Sequence, residues 1–237
     1  MIETPTLRII YKALTIIVLT YVIVAGLTFS IPNIGGNIQQ TSRNLFFHVP
    51  MWFSMYLMMG LSVYYSIRYM KNSLEIYDWG ARESAAIGVG YGLLGLTTGS
   101  VWSRVTWGEL LPATDPTAWW AWDPKQTYAL VAVLVYLAYF LLRNSIEINQ
   151  QRAKVSAVYN IFAAASLVPL TLIIPRIVGG LHPGGDDGSP VFDSKDISNE
   201  YRMIFYPAII GFMLLGLWIF ELRMRVLKIE QNLNKNN

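Results

Sequence analysis

The sequence predicts an all-α integral membrane protein, a bundle of six transmembrane helices that forms a single domain over residues 1–237. Hydrophobic residues make up 54% of the chain and charged residues only 14%, which is too apolar for an ordinary soluble domain. The apolar residues form six runs that are each near the roughly 20 helical residues needed to cross about 30 Å of hydrocarbon. These runs lack the alternation of barrel strands, so helices are the expected spanning elements.

The predicted spans follow one another along the whole chain. They are Ile9 to Ser30, Phe46 to Ile67, Ser84 to Ser103, Gln126 to Leu142, Val155 to Ile174, and Met203 to Leu222. Short charged connections are expected on the side of the termini, and longer connections on the opposite side. The short ones are Arg68 to Glu83 and Arg143 to Lys154, and the long ones are Pro32 to Leu45, Arg104 to Lys125 and Pro175 to Arg202.

The distribution of basic residues predicts the orientation. Twelve of the eighteen Lys and Arg residues lie on the side of the termini and six on the other side. The positive-inside rule therefore places both termini in the cytoplasm and the long connections outside. The excess of basic residues is thus explained by the membrane topology and does not predict a surface that binds nucleic acid. No cleavable signal peptide is expected, because the first apolar run is longer than the core of a signal.

Several chemistries are not expected from this composition. The chain has no cysteine, which excludes disulfides, thiolate metal sites, a CxxC redox pair and covalent haem attachment through CxxCH. No Ser–His–Asp order, HExxH motif or paired-carboxylate motif is present, so a conventional enzyme is not expected. Asp186, Asp187, Asp193 and Asp196 could bind a divalent cation, but a solvated acidic loop is the favoured interpretation.

A tryptophan-rich segment at about residues 102–127 is the strongest functional signal. Five of the eight tryptophans lie within residues 102–122, and Trp119, Trp120 and Trp122 occupy three of four successive positions after Trp107. An interface belt explains one or two tryptophans at such a depth. Three so close together cannot all face one direction on a regular helix, so we expect at least one to turn inward. The segment predicts a surface for a flat, apolar ligand, with a plain interface belt as the alternative.

The two histidines of the chain are the candidate metal ligands. His48 begins the second span, and His182 lies in a loop rich in Pro and Gly. Each alone could be an interfacial or solvated residue, but both are predicted on the outer side together with the tryptophans. Imidazole is the usual nitrogen ligand of haem iron, and two imidazoles can fill its two axial positions.

Charged residues flank the tryptophans. Asp123, followed by Pro124 and with Gln126 at the capping-box position, predicts the start of the fourth helix. Direct ligation of iron by Asp123 is not expected, since carboxylates suit harder ions. Arg104 and Lys125 are the first candidates for pairing with haem propionates, ahead of Arg43 and Arg176. Each of these cations could equally contact lipid headgroups.

The sequence resembles the haem-handling proteins of cytochrome c maturation that carry the so-called WWD domain. The resemblance rests on the Trp-x-Trp-Asp that ends at Asp123, on one outer histidine on each side of it, and on the six spans. The His-Val-Pro at His48 and the chain length are most similar to the CcmC type, haem exporter protein C, whereas CcmF and CcsA relatives have more spans. Two features depart from the CcmC pattern: ten residues, 109–118, separate Gly108 from Trp119, and the ending Asp123 to Thr127 is closer to CcsA.

The resemblance implies a role and a set of partners. His48 and His182 would be axial ligands of a transiently held, non-covalent b-type haem at the outer leaflet of the bacterial inner membrane. The tryptophan loop would be its platform, and the haem would pass to a periplasmic chaperone of the CcmE type. An ABC transporter pair of the CcmA/CcmB type and a small CcmD-like membrane protein would be associated subunits.

Two rival functions remain. A six-span transport permease, with tryptophans as anchors only, would need ionisable groups near the middle of the spans. The predicted spans have no mid-span Asp, Glu, Arg or Lys. A quinone-linked redox subunit would use aromatic walls but would leave the two histidines without an obvious metal.

Overall fold

The computed structural model describes residues 4–31, 38–107, 119–182 and 197–236. Within these ranges every regular element is helical, and six helices are long and apolar enough to cross a membrane. This confirms the predicted all-α architecture of six spans. The elements are α1 (Pro5–Thr28), α2 (Ile38–Thr41), a 3-10 turn (Ser42–Asn44), α3 (Leu45–Asn72), α4 (Glu75–Trp107), α5 (Pro124–Asn144), α6 (Asn149–Val168), a π turn (Pro169–Ile173), α7 (Ile174–Val178) and α8 (Asn199–Asn236).

Helices α3 and α4 are the centre of the bundle. They pack against each other along their length, α3 also contacts α6 and α8, and α4 also contacts α5 and α8. Helix α1 lies at the periphery and packs on α8. The main core between these helices is rich in methionine, with Met55, Met58 and Met59 buried beside Val133 and Tyr136. Flexible methionine side chains fill the irregular space between α3 and its neighbours.

Most helices extend beyond the predicted spans. Helix α4 begins at Glu75 instead of Ser84, and α8 continues to Asn236 instead of Leu222. The connection predicted from Arg68 to Glu83 is therefore reduced to two residues, 73 and 74, between α3 and α4. Hydropathy marks only the part of a helix that lies in hydrocarbon, whereas the backbone can continue as a helix into the polar layer.

Buried ion pairs stabilise these extensions at the end of the bundle that carries the short connections. Arg143 of α5 makes two hydrogen bonds with Asp78 of α4, at 2.7 Å and 2.5 Å, and both side chains are buried. Glu83 of α4 pairs with Arg82 and with Arg223 of α8. Each buried carboxylate thus has a cationic partner, which compensates for its removal from water.

The fifth span is interrupted before it reaches the connection that carries His182. The predicted helix from Val155 to Ile174 is instead α6, a π turn and α7, which together run from Asn149 to Val178. The interruption lies where Pro169 and Pro175, which lack a backbone N–H, cannot continue the α-helical bonding pattern. Helix α7 ends at Val178 and is followed by Gly179, whose φ of 73° is easily adopted only by glycine and turns the chain towards His182.

The tryptophan-rich segment is only partly a loop. Its first residues lie on α4, which continues to Trp107, and its last residues begin α5 at Pro124. Between them, residues 119–123 are irregular and residues 108–118 lie outside the described ranges. The acidic residues considered for a divalent cation, Asp186, Asp187, Asp193 and Asp196, also lie outside the described ranges.

Candidate functional site

The candidate site lies at the end of the bundle opposite the buried ion pairs. Four elements meet there: the first turn of α3 with His48, the last turns of α4, the start of α5 at Asp123, and the segment after α7 with His182. Both imidazoles contact α4. His48 contacts Thr98, and His182 contacts Trp102, four residues further along. With a rise of about 1.5 Å per residue, these two contacts are about 6 Å apart along the helix axis.

His48 is held by a hydrogen bond at each ring nitrogen. Its Nδ1 lies 3.0 Å from Thr98 Oγ1, and the indole Nε1–H of Trp52 donates to its Nε2 at 3.3 Å. An indole nitrogen can only donate, so Nε2 must carry the lone pair and Nδ1 the hydrogen. This is the tautomer in which Nε2 is the nitrogen able to bind a metal. The ring lies directly against Gly99, where a Cβ atom would be 2.8 Å from His48 Cε1.

His182 is oriented by a carboxylate. Its Nδ1 lies 2.8 Å from Asp123 Oδ1. The carboxylate only accepts, so Nδ1–H donates and Nε2 is again the nitrogen available to a metal. A carboxylate behind an imidazole is the arrangement that fixes the ring and raises its basicity in metal sites. The ring also packs edge-on against Trp107, with centroids 4.9 Å apart, and lies 6.2 Å from Trp102.

Asp123 joins two elements of the site. As predicted, it caps α5, and its Oδ1 accepts from the backbone N–H of Lys125 at 2.9 Å and of Gln126 at 3.4 Å. It also accepts from the backbone N–H of Leu181 at 2.8 Å and from His182. Burial by itself would raise the pKa of Asp123, but the hydrogen bonds from His182, Leu181 and Gln126 lower this pKa to about 2. The carboxylate is therefore ionised at neutral pH.

The capping-box interpretation of Gln126 is wrong. Its side-chain nitrogen donates to Ser100 Oγ of α4 at 2.8 Å, and its side-chain oxygen has no partner among the described residues. A tertiary contact between α4 and α5 has replaced the local bond to the N-cap backbone. Sequence spacing could not reveal this, because Ser100 lies 26 positions away.

The tryptophans lie in three different environments and do not form one continuous aromatic surface. Trp107 is buried on α4 beside His182, with 5% of its surface exposed. Trp119 and Trp122 are 60% and 82% exposed. Trp120 turns inward and packs against the main core, as expected of at least one member. Its buried indole Nε1 has no hydrogen-bond partner among the described residues, which leaves a donor for a polar ligand atom.

The candidate cations for propionate pairing have different surroundings. The guanidinium of Arg104 lies 4.1 Å from the ring centroid of Trp119, at cation–π distance. Lys125 is placed by the Asp123 cap through its backbone N–H, and its side chain lies in the electrostatic field of Arg176. Arg43 instead donates to the carbonyl oxygens of Gly26 and Phe29 at the end of α1, which explains it as a helix cap.

Four residues that contact His48 or His182 were not selected from the sequence: Trp52, Thr98, Gly99 and Trp102. The spacing of His48 and Trp52, four positions apart, places both on one face of a helix. Gly95 and Gly99 have the same spacing on α4. A search for residues that share a four-residue spacing on neighbouring spans could have identified these two helix faces as packing partners. Trp102 belongs to the tryptophan cluster but was not predicted to contact His182.

The arrangement can present two imidazole Nε2 atoms to a metal beside aromatic surfaces. The family model of heme exporter protein C, CcmC, matches residues 3–237. Heme exporter protein C of Paracoccus denitrificans is 26% identical over 188 residues, which cover 78% of this chain and 72% of the relative. The Bradyrhizobium diazoefficiens protein of the same name is 30% identical over 128 residues, 54% of this chain and 45% of that relative.

A second group of relatives has another printed name. Cytochrome c biogenesis protein CcsA of Prochlorococcus marinus is 40% identical over 93 residues, which cover 39% of this chain and 25% of the relative. The six apolar helices are those of a multi-pass membrane protein. Because the family model covers nearly the whole chain, this protein belongs to the CcmC family of heme exporter C proteins, which handle haem in cytochrome c biogenesis.

Proposed function

We propose that this protein binds haem through His48 and His182 at the outer face of the bacterial inner membrane and delivers it to a periplasmic haem chaperone. One observation carries this proposal: each imidazole has its Nδ1 hydrogen-bonded to a protein oxygen, Thr98 Oγ1 or Asp123 Oδ1. The two Nε2 atoms are then the nitrogens suited to the axial positions of one iron. The haem would be b-type and non-covalent, since the chain has no cysteine to attach it.

The two proposed ligands, His48 and His182, differ in how strongly the surrounding structure constrains them. His48 lies within α3 and packs against Gly99 of the neighbouring helix. His182 lies after the last turn of α7, in a segment that follows two glycines, Gly179 and Gly180. A short irregular segment opens at lower free-energy cost than a packed helix. We infer that transient binding ends when His182 is withdrawn, while His48 remains in place.

Aromatic and basic residues complete the proposed site. Trp107 packs against His182, and the indole N–H of Trp120, which has no acceptor in the described parts of the chain, could donate to a polar atom of the ligand. Trp119 and Trp122 present exposed aromatic surface on which a flat porphyrin could lie. Arg104 and Lys125 are the cations proposed to pair with the two propionates, because both flank these tryptophans.

The proposed partners follow from the family. The recipient would be a periplasmic chaperone of the CcmE type, and the exposed Trp119 and Trp122 would be reachable by it. An ABC transporter pair of the CcmA/CcmB type and a small CcmD-like protein would be associated in the membrane.

The rival permease function receives no support from the buried carboxylates Asp78 and Glu83, since each is paired with an arginine. Paired charges near a helix start stabilise the bundle and do not by themselves form a pathway.

Replacing each histidine tests the proposal. His48→Ala and His182→Ala should each convert a six-coordinate, low-spin haem spectrum to five-coordinate or high-spin, and should lower the haem retained per protein. The reason is that each variant removes one axial nitrogen. The measurement is the absorption spectrum and pyridine haemochrome of detergent-purified protein, with free imidazole added to refill the vacated position.

A matched control is Tyr64→Phe, an exposed residue of α3 distant from His48 along the helix. It should retain the wild-type spectrum and haem content. If both histidine variants, purified at normal yield, keep wild-type haem and an unchanged low-spin spectrum, the proposed ligation is wrong.

A further inference from the structure

Trp52 makes a hydrogen bond to Nε2 of His48, the same nitrogen that would ligate a haem iron. Its indole Nε1–H donates to His48 Nε2 at 3.3 Å, and the two rings meet nearly at right angles, with an interplanar angle of 77°. Nε2 has a single lone pair in the plane of the ring. That lone pair can accept the indole hydrogen or bind a metal, but it cannot do both.

We propose that Trp52 is a positioning residue that competes with haem iron for His48 and thereby keeps haem binding weak enough for release. The inference rests on the proposed function, since it assumes that His48 Nε2 ligates iron. Binding of iron removes the acceptor of the Trp52 indole, and departure of iron restores it. Trp52 therefore lowers the affinity for haem and holds His48 in one tautomer and orientation between binding events.

The surroundings of Trp52 hold its ring in this position. A Cβ atom at Gly95 would lie 2.8 Å from Trp52 Cε2, so the indole fits directly against the backbone of α4. Gly99, one turn further along α4, accommodates the His48 ring in the same way. Two aromatic rings four residues apart on α3 thus fit over two glycines four residues apart on α4. This close fit leaves the indole little freedom to turn away from Nε2.

Nδ1 of His48 has a separate and compatible partner. The Thr98 hydroxyl donates to the carbonyl oxygen of Leu94 at 2.8 Å or to that of Gly95 at 3.1 Å, so its oxygen is free to accept from Nδ1–H. Iron binding at Nε2 leaves this bond intact. Competition is therefore confined to one side of the ring, between the Trp52 indole and the metal.

The test measures haem affinity and haem loss in Trp52→Phe, which removes the donor and keeps an aromatic ring. A neutral hydrogen bond of typical strength corresponds to a change of about two- to tenfold in an equilibrium constant. We expect haem to bind about two- to tenfold more tightly to Trp52→Phe, and to pass correspondingly more slowly to excess apomyoglobin. Trp218→Phe is the matched control, because Trp218 lies on α8 beside Lys12. It should leave both quantities unchanged.

A double-mutant cycle and a measurement on haem-free protein separate the possible outcomes. In a His48→Ala background, Trp52→Phe should no longer tighten binding. In haem-free protein, the ultraviolet resonance Raman difference between wild type and Trp52→Phe should show a hydrogen-bonded indole, and the same difference in a His48→Ala background should not. If Trp52→Phe leaves affinity unchanged or weakens it while His48→Ala loses haem, the competition is wrong and the proposed ligation stands. If His48→Ala retains haem with a wild-type spectrum, the proposed ligation itself is wrong.

Discussion

Asp123 accepts hydrogen bonds from two parts of the chain that are far apart in sequence. Two of its donors, Lys125 and Gln126, begin α5, and the other two, Leu181 and His182, follow α7. The side chain is 5% exposed, so removal of its oxygens would leave four donors without this acceptor, among them the buried N–H of Gln126. The same carboxylate therefore fixes the start of a helix and the orientation of a proposed haem ligand.

Variants of Asp123 should separate these two roles. Asp123→Asn keeps one side-chain oxygen that can still accept the hydrogen bonds of the cap. Its amide nitrogen replaces the other carboxylate oxygen and cannot accept the hydrogen bond made there, and the substitution removes the negative charge behind His182. We expect Asn to preserve the fold and to lower haem affinity about tenfold, the lower end of the usual effect of losing a partner that orients a metal-binding imidazole. Asp123→Ala should lower haem affinity further and also destabilise the protein by about 1–3 kcal/mol. Haem titration and thermal unfolding in detergent measure the two effects.

The pH dependence of protein stability tests separately whether the negative charge of Asp123 contributes. Its pKa is about 2, below the ordinary value of 3.8, so the folded state favours the ionised form. The resulting contribution to stability is fully present above about pH 4 and is lost as the pH falls towards 2. Asp123→Asn should lack this contribution, so the stability difference from wild type should shrink over that range. An Asn variant with wild-type haem affinity would show that the residue acts only as a cap.

At the scale of elements, α4 determines the geometry of the site. Thr98 and Gly99 contact His48, whereas Trp102 and Trp107 contact His182. A single rigid helix thus fixes the positions of both proposed ligands relative to each other. A change on α4 that moves one imidazole should affect haem binding even though α4 supplies no ligand.

Gly99→Ala tests this role of α4. Its added methyl group would lie 2.8 Å from His48 Cε1, between the two ring nitrogens, and must displace the imidazole. We expect Gly99→Ala to lose low-spin haem while remaining folded, because alanine favours the helix by up to about 1 kcal/mol. Gly90→Ala on the same helix is the matched control, since a Cβ atom there meets nothing within 4 Å. Equal haem content in the two variants would contradict the proposed positioning of His48 by α4.

The same elements show what sequence reasoning can and cannot reach. Apolar runs of about 20 residues predicted all six spans, and the Asp-Pro pair predicted the start of α5, because both features are local. The start of α4 and the end of α8 lie beyond the predicted spans, since polar turns outside hydrocarbon carry no hydropathy signal. The contacts of His48 with Thr98 and of His182 with Asp123 join residues 50 and 59 positions apart. Such contacts depend on how helices pack, which periodicity does not specify.

At the scale of the whole molecule, the two ends of the bundle have different chemistry. One end has the short connections and the buried ion pairs of Asp78, Glu83 and Glu221 with basic residues. The other end has both histidines and the tryptophan-rich segment. In an antiparallel bundle of six spans, both termini lie on the side of the short connections. The proposed function therefore requires that the histidine end face the periplasm.

The orientation can be tested without any assay of haem. Twelve of the eighteen Lys and Arg residues lie at the end with the termini, which by the positive-inside rule should face the cytoplasm. A green fluorescent protein fused after Asn237 should therefore fluoresce, and alkaline phosphatase at the same site should be inactive. Alkaline phosphatase inserted at Gly185, in the connection before α8, should be active. The opposite pattern would place His48 and His182 in the cytoplasm, where a periplasmic chaperone could not reach them, and would rule out the proposed delivery whatever the affinity of the site for haem.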